Sequence, residues 1–194
     1  MAIRLLMLAA TLVLLAGCES SQRWVYHQGM DFEKWRAGLE EHTVSTDDGL
    51  RWRVLQSSDA DQAPAVLLIH GFGADSRNWV RFANELEGDY RFVIPDLPGH
   101  GNTEPRTTNM DYGISEQAER LFRLLDALQV ERAHVAGNSM GGAIAIEMAR
   151  RQPDRLRSLG LVDAAGITLQ TPEFLNVLEQ SDSNPLIPHS AEDF

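Results

Sequence analysis

The feature that most limits the possible folds of this chain is a serine between two glycines, in the run Gly137–Gly141. The preceding Arg132–Ala136 is short and largely apolar, as in a buried strand, and the following Gly142–Arg150 is rich in helix-forming residues. A serine at such a strand-to-helix turn holds its hydroxyl clear of the sheet, and the glycines supply the room that a tight turn needs. The unpaired N–H groups of the first helical turn lie beside that hydroxyl. Ser139 is therefore a candidate nucleophile next to a site for an oxyanion.

The rest of the chain is predicted to form an antiparallel hairpin followed by alternating strands and helices. Asp48-Gly49 between His42–Thr46 and Leu50–Gln56 is a strong hairpin signal, and the alternation within Leu50–Gln56 predicts a strand buried on one face. The pattern predicts the α/β class, with a mostly parallel sheet covered by helices. The other predicted elements are strands at Ala65–Ile69, Arg91–Ile94, Ala133–Ala136 and Leu156–Asp163, and helices at Asp31–Glu41, Trp79–Leu86, Ser115–Gln129 and Gly142–Arg150.

The first residues carry a pattern typical of an export signal. The uncharged run Leu5–Gly17 is short for a bilayer span but typical of the apolar region of a signal peptide. It ends in Leu15–Cys18, which resembles the lipobox of bacterial lipoproteins and implies that Cys18 is acylated after residues 1–17 are removed. Glu19 resembles the residue that sorts such lipoproteins to the outer membrane, so we expect a lipid-anchored protein on the periplasmic side. The alternatives are an ordinary signal peptide or a core helix, with Cys18 incidental.

Residues 18–41 are predicted to form a tether and then the helix Asp31–Glu41. The simpler interpretation is a surface helix that covers the edge of the domain. The alternative is an interfacial helix that lays its aromatic residues on the membrane, namely Trp24, Tyr26, Phe32 and Trp35.

The composition excludes several classes of partner. The formal net charge of −11 and the absence of a continuous basic stretch argue against a nucleic-acid partner. One cysteine permits no intrachain disulfide, and the six histidines are scattered without metal-ligand spacing, so neither a metal nor a cofactor is expected.

Two more glycine-rich loops follow predicted strands. His70–Gly73 and Asp96–Gly101 each come directly after an apolar run, at the carboxyl end of a predicted parallel strand, where such sheets bind ligands. Together with the turn at Ser139, these motifs resemble the α/β-hydrolase family, and within it the bacterial serine lipases and esterases with a His-Gly-Phe-Gly loop. The similarity covers roughly residues 42–194.

The resemblance implies a carboxylic-ester hydrolase that acts on a small-molecule or lipid ester through an acyl-enzyme. Ser139 would be the nucleophile, and the backbone N–H groups of Phe72 and Met140 would be the oxyanion donors. We expect His70 to hold the oxyanion loop through a hydrogen bond, and Asp96 to cap its own turn.

A base and an acid for Ser139 are not evident in the sequence. In this family both follow later strands, and the only histidine after Ser139 is His189. The simplest interpretation is an amino-terminal fragment of a larger hydrolase, with a core of six strands at 42–168, the start of a cap at 169–194 and the last strands absent. The alternative is a complete short protein that uses Asp163 as the acid and His189 as the base.

Other functions are compatible with the same motifs. Carbon–carbon bond hydrolases and cofactor-free haloperoxidases share the serine turn, and a hydrolase fold can also serve as a non-catalytic binding surface in the envelope. Epoxide hydrolases and haloalkane dehalogenases are disfavoured, because that branch carries aspartate at the nucleophile position.

Overall fold

The computed structural model of the protein describes residues 19–57, 63–86 and 90–166, and gives no side-chain description before residue 22. These residues form one mixed six-stranded sheet with helices on both faces. The strands are β1 (Leu39–Ser45), β2 (Arg51–Ser57), β3 (Ala65–Ile69), β4 (Arg91–Pro95), β5 (Ala133–Asn138) and β6 (Leu156–Val162). The helices are α1 (Glu19–Arg36), α2 (Val80–Glu85), α3 (Ile114–Ala127) and α4 (Met140–Arg151), with short 3₁₀ turns at Ser76–Trp79 and Pro153–Arg155.

The strand order is β1-β2-β4-β3-β5-β6. The β1–β2 hairpin and the β2–β4 pair are antiparallel, whereas β4–β3, β3–β5 and β5–β6 are parallel. The predicted fold class, with an antiparallel hairpin leading into a parallel sheet, is confirmed. The parallel strands bring the loops after β3, β4 and β5 to one edge of the sheet. The predicted nucleophile Ser139 lies there, and we call this the catalytic edge after that prediction.

Two apolar clusters cover the two faces of the sheet. The larger one packs α3 and α4 on one face and includes Leu67 and Ile69 of β3. The smaller one packs α1 and α2 on the other face and includes Val66 and Leu68 of the same strand. Burial on both faces explains the continuous apolar run of β3, as expected for a central parallel strand.

Strand β2 differs from its prediction. Its alternation predicts burial on one face, but four consecutive residues, Trp52–Leu55, are buried. Leu55 packs under α1 and α2, while Arg53 is buried among loops of the catalytic edge. Arg53 made one face of β2 appear exposed in the sequence. That face is buried, because the charge of Arg53 is paired inside the protein.

The predicted helix Asp31–Glu41 is wrong at both ends. Helix α1 spans Glu19–Arg36, and the chain turns at Gly38, whose φ of +60° suits glycine, before β1 begins at Leu39. The predicted boundary at residue 42 falls inside β1, so the core begins three residues earlier. No described helix is long and apolar enough to cross a membrane.

Candidate active site

Ser139 lies between β5 and α4 in a strained backbone conformation. Its φ of 51° and ψ of −116° are unfavourable for a residue with a Cβ, so the surrounding structure must hold it there. Its N–H donates to Val162 O at 3.1 Å, and its carbonyl oxygen accepts from the N–H groups of Gly142 at 2.9 Å and Ala165 at 2.9 Å. These bonds connect the turn to the end of β6 and to the chain that follows it.

The glycines of the turn are required by close backbone packing. A Cβ on Gly137 would lie 2.1 Å from Gly141 O, and a Cβ on Gly141 would lie 2.3 Å from Ile69 O. Both distances are far inside van der Waals contact, and the obstructing atoms belong to the main chain. The turn at Ser139 is thus packed directly on the end of β3, from which the His70–Gly73 loop leaves.

That loop lies against the predicted nucleophile, Ser139. A Cβ on Gly71 would be 3.3 Å from Ser139 Cβ and 3.1 Å from Asn138 Oδ1. The next residue, Phe72, has a half-exposed side chain whose ring contacts the His100 ring edge-on, with 5.6 Å between centroids. The two predicted oxyanion donors therefore belong to two segments that meet at Ser139.

The polar groups that the predicted mechanism requires are not engaged by the rest of the described structure. Neither the Phe72 N–H nor the Met140 N–H donates to any acceptor within the described ranges. Ser139 precedes the first residue of α4, yet its side chain makes no capping hydrogen bond, although serine commonly caps a helix. The hydroxyl and both N–H groups remain available to a substrate, beside the positive end of the α4 dipole.

His70 holds the oxyanion loop as predicted. It is fully buried, Nδ1–H donates to Gly71 O at 2.7 Å, and Nε2 accepts from the Leu97 N–H at 2.9 Å. One ring nitrogen donates and the other accepts, so the imidazole is neutral. Burial lowers the pKa of His70 below its ordinary value, and this outweighs the hydrogen bond to Gly71. The residue links two loops of the catalytic edge and cannot serve as the base.

Asp96 is the centre of the second loop. Its side chain is buried and accepts from the Ser76 N–H at 2.9 Å, the Asn102 N–H at 2.8 Å and Arg53 Nη1 at 3.4 Å. The prediction that Asp96 caps its turn is confirmed, and the carboxylate also fixes the start of the 3₁₀ turn at Ser76. Arg53 extends this network to Glu41 at 2.5 Å, and this hydrogen bond lowers the pKa of Glu41.

Sequence reasoning missed Arg53, Ser76 and Gly142. The alternation of β2 predicts an exposed Arg53, and the local sequence around Ser76 is typical of a polar loop. A Cβ on Gly142 would lie 2.4 Å from Ala164 Cβ, so this glycine lets the chain after β6 pass over α4. The second glycine after Met140 was a usable signal for that close approach.

The predicted acid lies near the turn, while the predicted base cannot be placed. Asp163 follows β6 directly, is exposed, and has a φ of 48°. The preceding Val162 pairs with Asn138, and Val162 O accepts a hydrogen bond from the Asn138 side-chain amide at 3.2 Å. Asp163 therefore stands one residue past the strand, beside the turn at Ser139. No histidine in the described part of the chain forms a hydrogen bond or ion pair with Asp163. Cys18 and His189 lie outside the described residues.

Comparisons with known proteins agree with this geometry. Lipase 3 of Moraxella sp. (strain TA144) is 38% identical over 167 residues, which are 85% of this chain and 52% of that protein. Lipase 1 of Psychrobacter immobilis is 36% identical over 167 residues, which are 85% of this chain and 51% of that protein. The chain thus spans about half the length of these curated relatives.

A solved structure and a protein family match as well. The crystal structure of a membrane phospholipase A, described as a novel bacterial virulence factor, superposes with a TM-score of 0.81 and 38% identity over 100% of this chain and 62% of that one. The α/β hydrolase fold family matches residues 64–188. Because this match covers well over half of the chain, and the three glycine-dependent loops lie where the family resemblance predicts, the chain belongs to the α/β hydrolase fold family.

Proposed function

We propose that this protein is a serine carboxylic-ester hydrolase that acts on lipid esters through an acyl-Ser139 intermediate. The observation that carries the proposal is the strained Ser139, which lies between two segments. Among the described residues, its hydroxyl makes no capping hydrogen bond and the Phe72 and Met140 N–H groups have no acceptor. The lipase relatives and the phospholipase A neighbour support an ester as the bond that is cleaved.

The mechanism follows from these groups. Ser139 Oγ attacks the ester carbonyl carbon as its proton passes to a base, and the carbonyl oxygen becomes an oxyanion held by the Phe72 and Met140 N–H groups. Collapse of this tetrahedral intermediate releases the alcohol, which takes the proton from the base. Water then cleaves acyl-Ser139 by the same steps. Losing one oxyanion donor typically costs about 2.7–4 kcal/mol of barrier, so two preorganised donors supply a large share of the catalysis.

We propose that the acid and the base of the triad both lie on later strands of the fold, C-terminal to His189. This assignment is supported by the exposure of Asp163 without a described histidine partner, and by relatives of which the matched region covers only about half. The competing arrangement uses Asp163 with His189. In either case the acid orients the imidazole that deprotonates Ser139.

The proposal includes attachment to the bacterial cell envelope through acylated Cys18. The lipobox-like Leu15–Cys18 supports this attachment, and a substrate that resides in a bilayer would then be close to the enzyme. Mass spectrometry of the mature protein tests it directly. An unmodified Cys18, or a mature chain that starts elsewhere, would contradict the anchor without affecting the assignment of Ser139.

The decisive experiment is labelling of the protein with a fluorophosphonate probe, followed by peptide mapping. We expect modification at Ser139, loss of labelling in Ser139→Ala, and unchanged labelling in Ser45→Ala, which removes an exposed serine on β1. A folded sample that stays unlabelled would support the non-catalytic alternative. p-Nitrophenyl butyrate hydrolysis should fall by roughly a thousandfold or more in Ser139→Ala.

The source of the base is tested in the 194-residue chain and in any longer product of the same gene. His189→Ala should leave hydrolysis by the longer product intact if the base lies downstream. Loss of hydrolysis in both His189→Ala and Asp163→Asn would instead support the Asp163–His189 pair.

A further inference from the structure

One side of α1 exposes a set of large apolar side chains. The exposed fractions are 64% for Trp24, 49% for Val25, 56% for Phe32 and 74% for Trp35. At about 100° per residue, these four positions fall within one sector of the helix about 100° wide. We call this sector the aromatic face of α1. Between Trp24 and Trp35, Gln28 is the one polar residue within this sector, and an exposed apolar patch of this kind marks a contact site.

The opposite side of α1 attaches the helix to the protein. Met30 is buried against the smaller apolar cluster, and Asn84 of α2 donates to Glu33 O at 3.2 Å and to its carboxylate at 2.9 Å. The Tyr26 ring lies on the protein side and faces the Arg77 guanidinium at 5.6 Å. The aromatic face is therefore turned outward by the packing of the helix, and no described residue covers it.

We infer that the aromatic face of α1 lies in the interfacial region of a phospholipid bilayer, with the helix parallel to the membrane plane. In the mature chain proposed above, acylated Cys18 stands immediately before α1 at Glu19, so the inference rests on that anchor and the helix begins at the lipid surface. Tryptophan favours the level of the lipid head groups, where one part of the ring is apolar and the N–H is hydrated. Trp24 and Trp35 stand about 16 Å apart along the helix, which suits a flat contact.

The charge of the helix specifies the kind of lipid surface. Its three acidic and three basic residues cancel, and the whole chain has a net charge of −11. Electrostatic attraction to anionic lipid cannot drive this contact, so the apolar side chains must supply the free energy. The surface that fits is zwitterionic, with head groups such as phosphocholine or phosphoethanolamine.

The contact also orients the catalytic edge. The inner side of α1 and the loops that carry Asp75, Arg77 and Asp96 line one cavity of about 420 Å³. Only the thickness of a helix, about 10 Å, then separates these loops from the bilayer surface. This inference concerns the docking of the protein and does not depend on the proposed chemistry at Ser139.

The four tryptophans of the chain allow a direct test. Trp24 and Trp35 are exposed on the aromatic face, whereas Trp52 and Trp79 are buried at 0% and 6% exposure. The full chain is reconstituted in phosphatidylcholine vesicles whose acyl chains carry bromine, a short-range quencher of tryptophan. We expect a quenched fraction that disappears in the double variant Trp24→Phe/Trp35→Phe, which keeps the face apolar. Vesicle-bound protein whose tryptophans are quenched only by aqueous iodide would overturn the inference.

Further variants separate lipid docking from other causes. Replacing Trp24, Phe32 and Trp35 together by serine should increase access of iodide to the α1 region. This is measured by quenching of a fluorophore attached at Gln28→Cys in the acylated chain, whose only native thiol, Cys18, is blocked by the anchor. Replacing the same three residues by leucine should preserve protection, while Phe82→Ser, an exposed ring on α2, should change nothing.

Two outcomes would assign the face to a different partner. A doubled mass by sedimentation, abolished by the serine variant and accompanied by no lipid quenching, would show that the face binds a second copy of the chain. Quenching that requires anionic phosphatidylglycerol would overturn the choice of a zwitterionic surface. The expected result is equal quenching with and without anionic lipid.

Discussion

Glycine has opposite consequences in the turn at Ser139 and in helix α1. In the turn, a Cβ on Gly137 would lie 2.1 Å from a main-chain oxygen, whereas a Cβ on Gly29 in α1 would meet nothing within 4 Å. The conformation of the turn at Ser139 is fixed by the close packing of β3, β5 and α4. Helix α1 is attached along one side only and leaves its other side to the surroundings. The requirement for glycine at the catalytic edge is therefore steric and cannot be relaxed by a neighbouring side chain.

The largest expected effect comes from replacing glycine by alanine, a change that can be made both in the turn and in α1. Gly137→Ala should prevent the turn from forming, because the Cβ would overlap main-chain atoms that cannot move without displacing α4. Gly29→Ala should raise the free energy of unfolding by about 0.5–1 kcal/mol, since alanine is the better residue inside a helix. Circular dichroism and urea denaturation measure both. A folded Gly137→Ala protein of wild-type stability would refute the steric argument.

The next largest effect compares buried and exposed charge. Asp96→Ala leaves Arg53 buried without this partner, and should lower the free energy of unfolding by about 3–5 kcal/mol. The matched change is Glu85→Ala on α2, which removes the exposed ion pair with Arg36 of α1 at 3.1 Å and should cost little stability. Urea denaturation of the two variants provides the measurement. Equal effects would mean that the Asp96 network does not stabilise the catalytic edge more than a surface pair stabilises α1.

The same contrast explains what could be predicted from the sequence. The strand order along the chain, the Ser139 turn and the roles of His70 and Asp96 were readable, because apolar runs and glycine-rich loops report local geometry. Neither the burial of Arg53 nor the outward direction of the apolar side of α1 could be predicted from such local patterns. Each depends on partners distant in sequence, and a single apolar stripe is normally taken to face a core. The alternative of an interfacial helix named Trp24, Phe32 and Trp35, which are exposed, but also Tyr26, whose ring faces Arg77 on the protein side.

A smaller effect tests whether the turn stores strain. Ser139→Gly should raise the free energy of unfolding by about 1–2 kcal/mol, because glycine adopts the φ of 51° without the steric cost of a Cβ. Ser139→Ala keeps the Cβ and is the control, so it should not gain stability. Thermal or urea denaturation distinguishes the two. Equal stability of both variants would mean that the hydrogen bonds to Val162, Gly142 and Ala165 do not hold Ser139 in an unfavourable conformation.

The smallest effect concerns the pH dependence that His70 gives to the catalytic edge. Burial lowers the pKa of His70 below 6.5, so the unfolded chain binds a proton at a higher pH than the folded protein. The contribution of His70 is therefore complete above pH 6.5 and declines as the pH falls from there through the lowered folded pKa. Carboxylates with a lowered pKa, such as Glu41, change the free energy of unfolding with pH only near pH 4.5 and below, outside this window. Urea denaturation between pH 7.5 and pH 5 should show a decline that His70→Gln flattens, since glutamine carries no titrating proton. A decline of equal slope in His70→Gln would assign it to other groups, and no decline in the wild-type protein would contradict a buried, neutral imidazole linking the oxyanion loop to Leu97.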